Sequence, residues 1–266
     1  MLLLGIIGHP LSHSLSPKLH NWACDQHHIP GAYYVWDMPA SKLPACISAV
    51  RTLPIHGLSI TIPHKETVIP LLDGLTDTAR AIGAVNTLFW QNGLLWGDNT
   101  DVTGFMAPLL ERTVSPGTAV VLGAGGASRA VVHGLVQAGW KVTITARTHA
   151  KAQSLAQTFQ ASHIPWAERH DLRPNLLVNT TPLGMSGPFQ AMSPWKEHLK
   201  GIDLVYDLIY NPKYTPLLLQ AAQNGVDVIY GLPMFVHQAL AQFERWTGQR
   251  FALDPALQLL EQSLKK

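Results

Sequence analysis

Apolar residues fall into short runs along almost the whole chain, and stretches of helical period separate them. Leu2–Ile7 is such a run, ends at Gly8, and predicts a buried strand. Ser16-Pro17 opens a helix, with serine to cap the free N–H groups and proline at the first helical position. Tyr33–Trp36 predicts a second strand, Ser41–Leu53 a helix and Gly57–Ile62 a third strand. Pro70–Ile82 reads as helix, and Thr87–Leu95 as a hairpin turning at Asn92-Gly93. Farther on, Ala119–Leu122 is a strand that runs into a glycine-rich turn. The helical stretch Ser128–Gln137 follows, stops at Gly139, and gives way to the strand Val142–Thr145. Leu176–Asn179, Leu204–Leu208 and Val226–Ile229 are further strands; Met234 to about Thr247 and Pro255–Leu264 are helical. This alternation predicts α/β architecture with largely parallel sheet, in two lobes divided near Thr103. Periodicity leaves open which lobe the C-terminal helices join.

Composition narrows the class. Of 266 residues, 47% are hydrophobic and 14% charged, which excludes a disordered or solvated tail. Nineteen Lys+Arg against seventeen Asp+Glu leave +2, too balanced for an electrostatic footprint on nucleic acid or anionic membrane. Met1–Ile7 lacks a preceding basic region and runs into Gly8-His9-Pro10, so it is not a signal core. Thr118–Val136 is interrupted by Gly125-Gly126 and Arg129, so it is not a membrane span. Cys24 and Cys46 cannot staple a chain of this length. A soluble cytoplasmic protein is expected.

Candidate chemistry begins at Gly123-Ala124-Gly125-Gly126-Ala127, which sits between a strand and a helix. There Gly123 permits a tight turn, Gly125 and Gly126 let the backbone approach a pyrophosphate, and the helix start faces the phosphates. Ser128 stands where G-x-G-x-x-G has its third glycine, and a plain tight turn is the alternative. After the next strand comes Thr145-Ala146-Arg147-Thr148, with Lys151 one helical turn on and no carboxylate to hold a ribose 2′-hydroxyl. Arg147 can pair with a 2′-phosphate, which favours NADP over NAD.

The first strand leads into a run of hydroxyls and imidazoles, residues 8–21, in which Ser14 and Ser16 can converge on a carboxylate. His9, His13 and His20 do not have metal-ligand spacing, and no metal is expected. Thr61-Ile62-Pro63-His64-Lys65, Gly83-Ala84-Val85-Asn86-Thr87 and Gly97-Asp98-Asn99-Thr100-Asp101 each lie at a strand end. A lysine and an aspartate around one cleft suit proton transfer and hydroxyl recognition.

These motifs resemble the shikimate dehydrogenase family. The resemblance extends in order through Asn179-Thr180-Thr181-Pro182-Leu183-Gly184-Met185, Asp207-Leu208-Ile209-Tyr210-Asn211-Pro212 and Gly231-Leu232-Pro233-Met234-Phe235-Val236-His237-Gln238-Ala239. It implies an N-terminal α/β substrate-binding domain of residues 1–103 plus 238–266, and a Rossmann-type NADP-binding domain with parallel sheet over 104–237. It implies oxidation of shikimate to 3-dehydroshikimate with hydride transfer to NADP, in chorismate and aromatic amino-acid biosynthesis. Ser14, Ser16, Thr61, Lys65, Asn86, Asp101, Tyr210 and Gln238 would surround the substrate, with Lys65 and Asp101 catalytic. Gly123, Ala124, Gly125, Gly126, Ala127, Arg147, Thr148, Lys151, Leu208 and Gly231 would hold the cofactor. The expected partner is the small-molecule substrate, with no nucleic acid or membrane, and the chain a monomer or homodimer. A lysine acts as base near neutrality only if desolvated or beside positive charge, and a close carboxylate opposes this, so base or charged donor stays open for Lys65. Ser59 stands where the family often has asparagine and leaves quinate as an alternative substrate, while Ala146 and Lys151, where asparagine and arginine are usual, leave NAD use as an alternative; a non-catalytic NADP-binding sensor is the other-class alternative.

Overall fold

In a computed structural model that describes residues 1–11, 14–112 and 114–264, the chain forms two compact units. One comprises Met1–Asp101 and Val236–Lys266, the other Val102–Phe235. The divisions fall two residues before those expected at 103 and 237.

The first unit holds β1 (Leu2–Gly8), α1 (Ser16–Gln26), β2 (Gly31–Asp37), α2 (Leu43–Val50), β3 (Gly57–Ile60), β4 (Gly74–Leu75), α3 (Asp77–Ile82), β5 (Thr87–Gln91) and β6 (Leu94–Asp98). Its sheet has the order β2-β1-β3-β5-β6-β4. β1 is parallel to both neighbours, β5 runs antiparallel to β3 and to β6 through the hairpin turning at Asn92-Gly93, and β4 is parallel to β6. Ile7, Leu58 and Leu88 join Ile47 in one core, while Leu4, Ile6 and Tyr33 form another with Trp246 packed on it. The expected helix over 70–82 is corrected. Pro70 lies in a single 3-10 turn, β4 pairs with β6, and α3 starts only at Asp77, capped by the Thr76 hydroxyl. The hairpin edge offers Asp73 and Thr76 backbone partners at Leu95 and Gly97, and that pairing outcompetes helix.

The second unit carries most of α4 (Asp101–Glu111), then β7 (Thr118–Leu122), α5 (Gly126–Gln137), β8 (Lys141–Thr145), α6 (His149–Phe159) and β9 (Ser162–His163). β10 (Leu176–Asn179), β11 (Leu204–Asp207), α7 (Pro216–Gln223), β12 (Asp227–Ile229) and the start of α8 (Gly231–Thr247) follow. α9 (Leu253–Leu264) belongs to the first unit. The second sheet is wholly parallel, β9-β8-β7-β10-β11-β12, with its order reversing between β7 and β10. Both its faces are covered: Val121 and Val178 join one core, Val120 and Leu177 the other. Double burial explains why these strands read as unbroken apolar runs.

Candidate functional site

Four segments of the first unit end on one edge of its sheet. Ser14 and Ser16 follow β1, Thr61 and Lys65 follow β3, Asn86 leads into the antiparallel β5, and Asp101 follows β6. The expectation that Ser16 caps α1 is corrected: Leu15 holds the cap position, and the Ser16 N–H donates to the Ser14 hydroxyl oxygen at 3.3 Å. The Ser16 hydroxyl is instead hydrogen-bonded with that of Tyr33. Ser16 is buried and Ser14 half-buried.

The 61–65 segment is pinned at both ends. Thr61 N–H donates to the Ile7 carbonyl, and the Lys65 carbonyl accepts from Val85 N–H at 2.7 Å. His64, fully buried, places its Nε2 2.6 Å from the Met38 carbonyl. Lys65 Nζ then meets Asp101 Oδ2 at 2.5 Å, an ion pair with side chains 13% and 8% exposed. The other carboxylate oxygen accepts from Asn86 Nδ2 at 2.9 Å, and Asp101 N–H donates to Asn99 Oδ1. As first residue of α4, Asp101 also faces the positive end of the helix dipole. Beside it, Asp98 accepts from Thr76 and pairs with Arg245 at 2.6 Å. Gln238 lies half-buried on α8.

The expected imidazole group separates. His9 pairs with Asp37, and His20 stacks on Tyr33 with centroids 4.5 Å apart. Burial pushes the His20 imidazole down to about 3 and keeps it neutral. His13 and Ser12 lie outside the described residues.

In the second unit, the turn after β7 lies at the point where strand order reverses, the place open parallel sheets use for ligands. Gly123 has φ of +122°, and a Cβ there would lie 2.3 Å from Thr180 Oγ1. Ser128 braces the loop: its hydroxyl oxygen accepts from Gly125 N–H at 3.0 Å and lies 2.7 Å from Thr180 Oγ1, whose proton goes to the Leu122 carbonyl. The departure from a third glycine thus ties the ends of β7 and β10 to the start of α5. Beyond this brace the N–H groups of Gly126 and Ala127 open the helix, and a Cβ on Gly125 would meet open space.

Arg147 and Thr148 follow β8 and are exposed, as is Lys151 on the first turn of α6. Thr148 occupies the cap position of α6 without using its hydroxyl as a cap. Gly231 begins α8 against the end of β11, where a Cβ would lie 2.2 Å from the Leu208 carbonyl oxygen. Tyr210 lies half-buried, its ring 4.8 Å from Phe235.

Asp207, fully buried at the end of β11, accepts from Asn179, Ile209 N–H and the Thr215 hydroxyl. Burial nevertheless pushes its carboxyl up to about 6. A folded-state value above the unfolded one means stability present in acid and lost as pH rises from about 4 through about 6. Asp207→Asn is therefore expected to gain on the parent by on the order of 2 kcal/mol between pH 4 and pH 7. Denaturant melts of both proteins at each pH check this; a difference independent of pH contradicts it.

Residues 6–88 match the family model for the shikimate dehydrogenase substrate binding domain, 109–177 that for shikimate/quinate 5-dehydrogenase, and 231–261 that for the shikimate 5′-dehydrogenase C-terminal domain. The shikimate dehydrogenase (NADP(+)) of Maridesulfovibrio salexigens is 44% identical over 98% of this chain and 97% of its own length. The chain is a member of the shikimate dehydrogenase family. The enzyme of the same name from Pelobacter propionicus is 46% identical over 93% of this chain and 91% of its own length. Among solved structures, shikimate 5-dehydrogenase from Thermus thermophilus, in complex with NADP(H) and shikimate, aligns with a TM-score of 0.90 at 36% identity. It covers 99% of this chain and 100% of that one. As in that family, the fold is α/β with a parallel Rossmann-type sheet. No helix among the described residues is long and apolar enough to cross a membrane.

Sequence reasoning missed the residues standing behind the site. Asn99 and Thr100 lay inside a quoted motif but had no separate signal, Thr87 reads as a strand residue, and Gln242 falls on a helix face 156 residues from the backbone carbonyl it binds.

Proposed function

We propose that this chain is an NADP-dependent shikimate dehydrogenase: shikimate and NADP⁺ give 3-dehydroshikimate, NADPH and a proton, reversibly. The observation that carries this reading is the Lys65–Asp101 pair, held from behind by Asn86, on the sheet edge that also bears Ser14, Ser16 and Thr61. The 44% identity to a shikimate dehydrogenase (NADP(+)) supports reading that edge as the substrate side.

The second unit's residues fit a dinucleotide with a 2′-phosphate. The open space at Gly125 and the free end of α5 suit a pyrophosphate. Exposed Arg147, Thr148 and Lys151 offer a bidentate cation, an uncommitted hydroxyl and a point charge, with no carboxylate from Thr145 to Lys151 to repel a phosphate. Leu208 and Gly231, in backbone contact, complete the cofactor set. When bound, NADP supplies the hydride acceptor.

The chain's own residues do the rest. Ser14 and Ser16 bind the acid's carboxylate, while Thr61, Gln238 and Tyr210 orient the ring hydroxyls. Asn86, with both amide atoms already committed to Thr87, Thr100 and Asp101, serves the substrate through the carboxylate it holds. Lys65 and Asp101 flank the reacting hydroxyl and manage its proton. The enzyme acts in the cytoplasm on a small molecule, as a monomer or homodimer, in chorismate and aromatic amino-acid biosynthesis.

Steady-state rates with shikimate or quinate, and NADP or NAD, test the assignment. Highest kcat/KM is expected for shikimate with NADP; a preference for quinate or NAD overturns the corresponding half. Ser14→Ala and Ser16→Ala are each expected to raise KM for shikimate by roughly tenfold or more, the loss of one hydrogen bond to a charged group of about 1.5–3 kcal/mol. Weakened NADP binding with unchanged KM for shikimate would refute the carboxylate role.

A further inference from the structure

Behind Asp101 runs a buried chain of hydrogen bonds in which every donor points the same way. The Tyr33 hydroxyl donates to Ser59 Oγ at 2.6 Å, and Ser59 donates to Gln242 Oε1 at 2.7 Å. Gln242 Nε2 donates to Thr87 Oγ1 at 3.0 Å and to the Asn86 carbonyl at 2.9 Å. Thr87 donates to Asn86 Oδ1 at 2.7 Å, and Asn86 Nδ2 donates to Asp101 Oδ1. Asp101 Oδ2 is left for Lys65. Tyr33, Ser59, Gln242, Thr87 and Asn86 are all at most 5% exposed.

The polarity of this chain is set at Gln242. Its amide oxygen is taken by Ser59 and its nitrogen by two acceptors, so the amide has one orientation only. Because Thr87 receives a proton from Gln242, its own proton must go forward to Asn86 Oδ1. That oxygen also accepts Thr100 N–H at 2.8 Å, so the Asn86 amide cannot turn. Reversed, Asn86 would place its oxygen against the Asp101 carboxylate and lose these bonds, costly for groups out of water. Ser59, one atom group shorter than the asparagine frequent here in the family, reaches its neighbours through the long Gln242 side chain. The other titratable groups around the chain carry no competing charge: His20 and Tyr33 are held neutral by burial, and Asp98 is paired with Arg245.

We propose that Gln242 is a positioning residue for the reaction, acting through Thr87 and Asn86 to present Asp101, and through it Lys65, in one fixed orientation. This rests on the dehydrogenase reading given above. The test compares Gln242→Met, Thr87→Val and the double variant, all near in volume to the parent residues. Each single variant is expected to lower kcat about tenfold with KM for shikimate changed less than about threefold, and the double to lose no more than either single, because links of one chain are not additive. Nitrogen-15 NMR of the Asn86 side-chain amide gives a readout independent of substrate. Its two protons are expected to exchange slowly with solvent in the parent, and to exchange faster with shifted resonances in both variants, where Asn86 Oδ1 has lost the ordered Thr87 donor. Additive losses in kcat, or an unaltered Asn86 amide in Gln242→Met, would overturn the proposal. A parent inactive on shikimate but showing the NMR change would instead refute the substrate reading and leave the positioning role standing. Should Gln242→Met fail to fold, Thr87→Val carries the same NMR prediction, and an unaltered amide there overturns the proposal equally.

Discussion

Lys65→Ala is expected to lower kcat about a thousandfold while KM for shikimate rises only a few-fold, the range removal of a proton-transfer group produces. The reason lies in the differential interaction. In the ground state Lys65 is already satisfied by Asp101 at 2.5 Å, so the bound alcohol gains little from it. As the carbon loses hydride, the hydroxyl must shed its proton, and a group fixed beside that oxygen interacts far more strongly with the changing charge. Removing the ammonium also leaves Asp101, 5% exposed, as a buried carboxylate held only by Asn86 and its helix end. Stopped-flow single turnovers, which separate chemistry from cofactor release, are the measurement that checks it. A raised KM with kcat unchanged would mean that Lys65 merely binds.

The nucleotide side gives the second large effect. Arg147→Ala is expected to raise KM for NADP by on the order of tenfold to a hundredfold, matching about 1.5–3 kcal/mol for a hydrogen bond to a charged group. NAD, which lacks the 2′-phosphate, should be nearly unaffected, so the NADP/NAD preference collapses. Lys151, also exposed on the first turn of α6, retains a point charge and limits the loss. The effect should shrink as ionic strength rises, since the contact is exposed. Kinetics with both cofactors at two salt concentrations measure it. Equal losses for NADP and NAD would assign Arg147 to adenine stacking or to loop structure.

Much of this was legible along the chain because the signals were local. Gly123 to Gly126 between an apolar strand and a helix, and the bare Thr145–Lys151 segment, identify the nucleotide side wherever the rest of the chain goes. Asn92-Gly93 fixed the hairpin, and double-sided burial made the parallel strands visible as apolar runs. What was misread involved competition between local and distant partners. The 70–82 segment has a helical pattern, but Asp73 and Thr76 find backbone partners on β6, an edge the local pattern does not reveal. Ser16 reads as a cap, whereas Leu15 holds that position and the Ser16 hydroxyl turns to Tyr33, a partner on β2. Ser59 looked like a weakened site residue; its reach is restored by Gln242, 183 positions away, on a helix whose apolar stripe gives no hint of a buried amide. Such chains are closed by tertiary packing and have no period in the sequence.

The most direct measurement is a single turnover with shikimate carrying deuterium on the carbon that becomes the ketone. If the chain is the dehydrogenase described, each mole of 3-dehydroshikimate formed is accompanied by one mole of NADPH carrying one deuterium, at a rate slowed by the isotope. Absence of NADPH, or NADPH without deuterium, would contradict the account.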